Sequence, residues 1–157
     1  MPRVLAIDPG NHCGFAVVDD SGLVLSDVWR LHKDGERKDI RFWRLFHRLS
    51  EVYGATGKPE AVAFETKLKT KKTTTANLLN TGGFIGVIRA WSVQVKVADV
   101  RFLYPSELKH RATGNGRASK ADMCAWASHT SGKDIRDDNE ADAVCLAFVI
   151  HEELTRA

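Results

Sequence analysis

An α/β fold, with one mixed five-stranded sheet and helices on both of its faces, is what the sequence predicts. Three observations carry that expectation. Short apolar runs alternate with longer stretches of helical periodicity. Their order is three strands, a helix, a strand, a helix, a strand and two helices. Two of the apolar runs, Val4-Leu5-Ala6-Ile7-Asp8 and Ala61-Val62-Ala63-Phe64-Glu65, end in a carboxylate.

Val4 to Ile7 reads as a buried strand, and Gly14 to Val18 as a second. Asp19-Asp20-Ser21-Gly22 is a turn cluster before a third strand, Leu23 to Trp29. Short connections make these three an antiparallel meander. Asp39 is the expected cap of a helix over 40–54. Its core face is Phe42, Leu45, Phe46, Leu49, Val52 and Tyr53, with Arg41, Arg44 and Arg48 on an exposed face. Gly54 to Pro59 breaks the chain before the fourth strand, Ala61 to Phe64. A Lys- and Thr-rich loop follows, then a helix from Thr75 to Trp91 that carries Gly82, Gly83 and Gly86. Glycines cost helix propensity, which close approach of another backbone would explain. Val93 to Ala98 is the expected fifth strand, and Leu103 to Ala118 a long loop. Ser119-Lys120-Ala121-Asp122 has the form of a helix start, with an end near Gly132. Asp137 or Asp138 caps a last helix that runs to Leu154.

The 157 residues suffice for a single domain over 1–157 with a real core. No apolar run approaches the roughly 18 residues of a membrane span. No signal peptide is visible, so the chain is expected in the cytoplasm. Cys13, Cys124 and Cys145 are odd in number and form no CxxC pair, which argues for reduced thiols. The six histidines are scattered, so zinc-ligand spacing is absent. A net charge of +3 says little about partners, but the bases concentrate in two segments. Lys67, Lys69, Lys71 and Lys72 follow Glu65, and Lys109, Arg111, Arg117 and Lys120 precede the penultimate helix. Such clusters neutralise phosphates, although a solvated charged loop is the plain alternative.

The acids are the sharper signal. A carboxylate at the tip of a buried strand is costly unless something pairs with it. If the first and fourth strands are parallel neighbours, Asp8 and Glu65 lie side by side at the carboxyl edge of the sheet, where ligands of open α/β sheets bind. Asn139 and Asp142 are three apart and share a helix face. Each acid alone has an ordinary explanation as a turn, loop or capping residue. Together they would repel one another, and a hard divalent cation relieves that repulsion.

Ala6-Ile7-Asp8-Pro9-Gly10 followed by Gly14 resembles the first motif of the RuvC Holliday-junction resolvases. Phe64-Glu65 with its loop and Gly-containing helix resembles the second. Tyr104-Pro105-Ser106 with Thr113-Gly114-Asn115-Gly116-Arg117-Ala118-Ser119-Lys120 is similar to the segment before their third helix. Asn139-Glu140-Ala141-Asp142-Ala143 resembles their final acidic motif. The resemblance spans nearly the whole chain. It implies an RNase H-like fold, a homodimer, and paired symmetric nicking of four-way DNA junctions to 5′-phosphate and 3′-hydroxyl ends. It implies Asp8, Glu65 and Asp142 as catalytic metal ligands for Mg²⁺ or Mn²⁺, two ions per site. Asn139 stands where many members have Asp or His, so Asn139 or the adjacent Asp138 completes the set. The basic residues named above become DNA contacts, with Leu68 as an apolar wedge near the junction centre. Gly82 and Gly86 become a dimer contact.

Other readings remain open at this level. The sugar-kinase and actin type of ATPase also opens with strand, Asp and Gly-containing hairpin, but needs two such domains. A catalytically silent junction-binding scaffold fits the missing fourth carboxylate. A related RNase H-like nuclease would act on flaps or RNA–DNA hybrids. Metal-dependent nicking separates enzyme from scaffold.

Overall fold

The computed structural model describes residues 2–66 and 71–156. Lys67, Leu68 and Lys69, expected at the DNA, lie outside the described residues. Strand β1 (Val4–Asp8) pairs antiparallel with β2 (His12–Asp19), and β2 with β3 (Gly22–Arg30), as the meander required. On its other side β1 pairs in parallel with β4 (Ala61–Glu65), which pairs in parallel with β5 (Asp99–Leu103). The mixed sheet therefore runs β3-β2-β1-β4-β5. β1 is central and buried at every position, which explains its unbroken apolar run.

Alternation along the strands sorts the side chains into two cores. Leu5, Ile7, Phe15, Val17, Val62 and Phe64 pack against α1 (Ile40–Thr56) and α2 (Thr75–Gln94). Ala6, Ala16, Ala61 and Ala63 lie in the other core with α3 (Pro105–Thr113), α4 (Lys120–Ser131) and α5 (Asp138–Arg156). Helices on both faces of a five-stranded mixed sheet agree with the expected fold class.

Several elements differ from expectation. The fifth strand is Asp99–Leu103, because α2 runs on through Val93 and Gln94. Ser92 is buried there and bonds back to the Ile88 carbonyl at 2.7 Å, and the chain turns only at Lys96, φ 62°. The β-branched pattern of 93–98 thus yielded to the packing of Trp91 and Ser92. Within the expected loop 103–118 lies helix α3. Pro105 is its first residue, where the missing N–H costs nothing, and Gly114 closes it in the left-handed conformation. Asp39 makes no side-chain cap, since its carboxylate binds Arg37 at 3.0 Å. Thr74 caps α2 by accepting from the Asn77 N–H, and Ser119 caps α4 by accepting from that of Asp122. Asp137 caps α5, accepting from the N–H groups of Asn139 and Glu140 at 2.8 and 3.1 Å.

Arg41 and Arg44 do not form an exposed face. Arg41 is buried and donates to the side chains of Asn11 and Asn80, while Arg44 binds Glu36. Among the α2 glycines, Gly83 takes the close contact: a Cβ there would sit 2.4 Å from the Phe42 ring. A Cβ at Gly82 or Gly86 would meet nothing within 4 Å.

Candidate active site

The register of β1 and β4 places the two strand-end acids together. Ile7 is opposite Phe64, so Asp8 and Glu65 follow as neighbours at the same edge. Parallel strands lie about 4.8 Å apart. Both acids are buried. They line a cleft of about 470 Å³ with Asp138, Asn139 and Asp142 of α5, Lys109 of α3 and Lys120 of α4. His12, Asn11, Pro9 and Gly10 close its near wall.

Gly14 is what lets α5 reach this edge. It pairs with Asp8 across the β1–β2 ladder. A Cβ at Gly14 would lie 1.9 Å from the Asn139 carbonyl oxygen. The first turn of α5 therefore rests on the sheet only because position 14 has no side chain. A second fastening lies behind it. Glu140 is buried and accepts from Ser26 Oγ and from Lys133 Nζ, each at 2.7 Å. That trio ties β3, the α4–α5 connection and α5 together. With one turn thus held, Asp138, Asn139 and Asp142 all line the cleft, Asp142 lying four residues after Asp138 and three after Asn139.

The field in the cleft is negative. Burial raises the Cys13 thiol, and the Asp8 carboxylate raises it further. Burial and then Asp142 do the same to Cys145; burial, Asp138 and Asp142 raise Cys124. All three cysteines are held as neutral thiols, which removes them as nucleophiles. Two cations answer the acids. Lys120 Nζ stands 3.4 Å from Asp138, and Lys109 lines the cleft. The α5 N-terminus adds partial positive charge.

The donor set is oxygen-rich, as a hard divalent cation requires. Among the described residues, no three of His, Cys, Asp and Glu crowd closely enough to cage an ion by themselves. Asp8, Glu65 and Asp142, with Asp138 or Asn139, are the residues that would hold it.

The expected DNA contacts divide. Lys109 and Lys120 are at the cleft. Lys72 lines an adjoining groove of about 670 Å³ that shares Pro9, Gly10 and Pro105 with the cleft, and Lys71 beside it is exposed. Arg117 is exposed and outside the cleft lining. Arg111 is engaged elsewhere, by Glu153 and by Glu107 at 3.9 Å. Sequence reasoning missed His12, the Glu140 trio and the buried Arg41. Arg41 had a signal: Arg41, Leu45, Leu49 and Val52 form the buried stripe of α1, and an arginine in such a stripe implies polar partners. The Ser26–Glu140–Lys133 trio had none, since Ser26 is 114 residues from Glu140.

Residues 4–151 match the family model described as crossover junction endodeoxyribonuclease RuvC. A relative of that name from Nocardioides sp. is 33% identical over 157 residues, covering 93% of this chain and 84% of its own length. One from Rhodococcus jostii is 35% identical over 154 residues, covering 93% of this chain and 79% of its own. Among solved structures, Thermus thermophilus RuvC in complex with Holliday junction substrate superposes with a TM-score of 0.84 at 26% identity, over 99% of this chain and 96% of that one.

Proposed function

Because the chain belongs to the RuvC family of crossover junction endodeoxyribonucleases, we propose that it resolves four-way DNA junctions by paired symmetric nicks. The observation that carries the reading is the cleft itself. Two carboxylates end adjacent parallel strands, a third stands on a helix start, and two lysines share the same hollow. The family implies dependence on a divalent metal. The finer assignment is Mg²⁺ or Mn²⁺, two ions per site, held by Asp8, Glu65 and Asp142. Asn139 or the adjacent Asp138 completes the set, both on the same cleft-lining turn.

When bound, the metal supplies an activated water and neutralises charge on the scissile phosphate. The chain's own residues do the rest. Lys109 draws a phosphate into the cleft, and the α5 N-terminus favours the anion there. Lys120 balances Asp138. β1 and β4 fix the backbones from which the buried Asp8 and Glu65 carboxylates reach the cleft. The nick leaves 5′-phosphate and 3′-hydroxyl ends.

The chain acts as one catalytic domain over 1–157, in the cytoplasm; no helix among the described residues is long and apolar enough to cross a membrane. Its working form is a homodimer that presents two sites to the two symmetric strands of a junction. Support comes from the outer face of α2, where Leu79 and Val93 are 71% and 77% exposed and Gly82 and Gly86 admit close approach. Phe102 of β5 is exposed as well, stacked on Phe64 under Arg89. Exposed apolar side chains beside glycines on one helix are the kind of surface a second copy could cover.

The test is a nicking assay on four-way, flap and RNA–DNA hybrid substrates, with Mg²⁺ and with chelator. Symmetric, metal-dependent nicks in the junction are expected, with Asp8→Asn inactive yet still binding. Nicking by Asp8→Asn at the wild-type rate would overturn the site assignment. Preference for hybrids would move the substrate.

A further inference from the structure

Trp43 is 59% exposed on the outer side of α1, although the helix already has its core stripe. An exposed indole set among cations offers a face on which a ligand ring can stack. The Trp43 ring lies against His47 with centroids 4.1 Å apart. Together they line a groove of about 610 Å³ between α1 and the end of β3. Its other walls include Arg30, Lys33, Arg44 and Arg48. Glu36 is paired with Arg44, and Glu51, in the groove wall, with Arg48 at 3.1 Å. Arg30 and Lys33 make no ion pair among the described residues, so they are the excess charge of the groove.

The groove borders the cleft wall through the β2–β3 ladder. Arg30 is the ladder partner of His12, and His12 lines the acidic site. Just beyond, the Leu31 N–H bonds to the Asn11 carbonyl at 2.8 Å, which fixes the start of the basic segment to the cleft wall.

We infer that this groove binds an unpaired DNA strand, with phosphates on Arg30 and Lys33 and a base stacked on Trp43. A positive groove with an aromatic platform is the chemistry of single-strand recognition. Duplex DNA would satisfy the cations but has no free base face for the ring. The inference rests on the nuclease reading, which makes a DNA strand the polyanion at hand.

The experiment uses the wild-type chain in chelator, titrated with a labelled oligodeoxythymidylate and followed by anisotropy. Tryptophan fluorescence locates the contact, because Trp29 and Trp91 are buried and Trp43 is the most exposed of the four tryptophans. Quenching is expected, with affinity about tenfold weaker in Trp43→Ala and largely retained in Trp43→Phe. Arg30→Ala with Lys33→Ala should lower the slope of log affinity against log salt by about 1.4, two phosphates' worth. Absence of quenching, an unchanged slope in the double variant, or equal quenching by poly-glutamate would each overturn the proposal; the last would make the occupant an acidic peptide. A chain that nicks junctions without binding the oligonucleotide here refutes the groove and leaves the nuclease reading. A chain that binds it here but nicks nothing does the reverse.

Discussion

The two faces of the sheet are built from different residues. Toward α1 and α2 the central strands present Leu5, Ile7, Phe15 and Phe64, answered by Leu45, Leu49, Phe84, Ile88 and Trp91. Toward α5 they present Ala6, Ala16, Ala61 and Ala63, answered by Ala141, Ala143 and Ala147. Large side chains bury more apolar area and hold their helices off the sheet. Small ones bury less but let a helix lie close. The close helix is the one that carries Asp138, Asn139 and Asp142 to the strand-end acids. One face thus stabilises and the other places the site.

That contrast can be broken from either side. Phe84 is fully buried and edge-on to Phe42 at 5.2 Å. Phe84→Ala should cost about 3–5 kcal/mol of stability. Its nicking rate, measured well below the lowered melting temperature, should stay near wild type; a collapse in rate there would show that the aromatic face also sets the site.

Gly14→Ala attacks the other face. Its methyl group collides with the Asn139 backbone, so the start of α5 must shift. A displacement on the order of 1 Å costs about 100-fold in rate, so nicking should fall to that degree. The melting temperature should drop less than in Phe84→Ala.

Ala63→Leu is milder. Ala63 is fully buried in the α5-side core, and overpacking there costs about 1–3 kcal/mol. Nicking should fall by more than the loss of folded protein accounts for, read as rate per folded molecule from circular dichroism. Equal losses would mean that α5 repacks without moving the acids.

The smallest effect concerns the segment that joins the sheet to α1. Arg44 holds the Glu36 carboxyl down to about 2, from an ordinary 4.5. A depressed carboxyl stabilises the fold above its unfolded value and loses that contribution as pH falls. The Glu36–Arg44 anchor should therefore be at full strength above about pH 4.5 and fade toward pH 2. Carboxyl chemical shifts followed over that range check it; a midpoint near 4.5 would deny the pairing.

Much of this was legible in the residues. Asp8 and Glu65 could be read as strand-end acids because a short apolar run with a terminal carboxylate is a local pattern. Asp137 and Ser119 could be read as helix starts because a cap involves only the next three residues. The acidic edge was thus visible in the residues alone.

What the sequence by itself determined is the set of elements whose signals act over two to four residues: β1, the meander, β4, α5 and the acids they carry. Tertiary structure decided the rest. Pro105 could break a loop or begin a helix, and the buried seat of Leu108 in the α5-side core chose the helix. Val93 could extend a strand or a helix, and buried Trp91 chose the helix. Arg41 could face water or the interior, and Asn11 and Asn80, 30 and 39 residues away, chose the interior. The physical reason is the same in each case. Local alternatives that differ by a kcal/mol or so in propensity are settled by burial and polar pairing with residues distant in the chain, which contribute several times more.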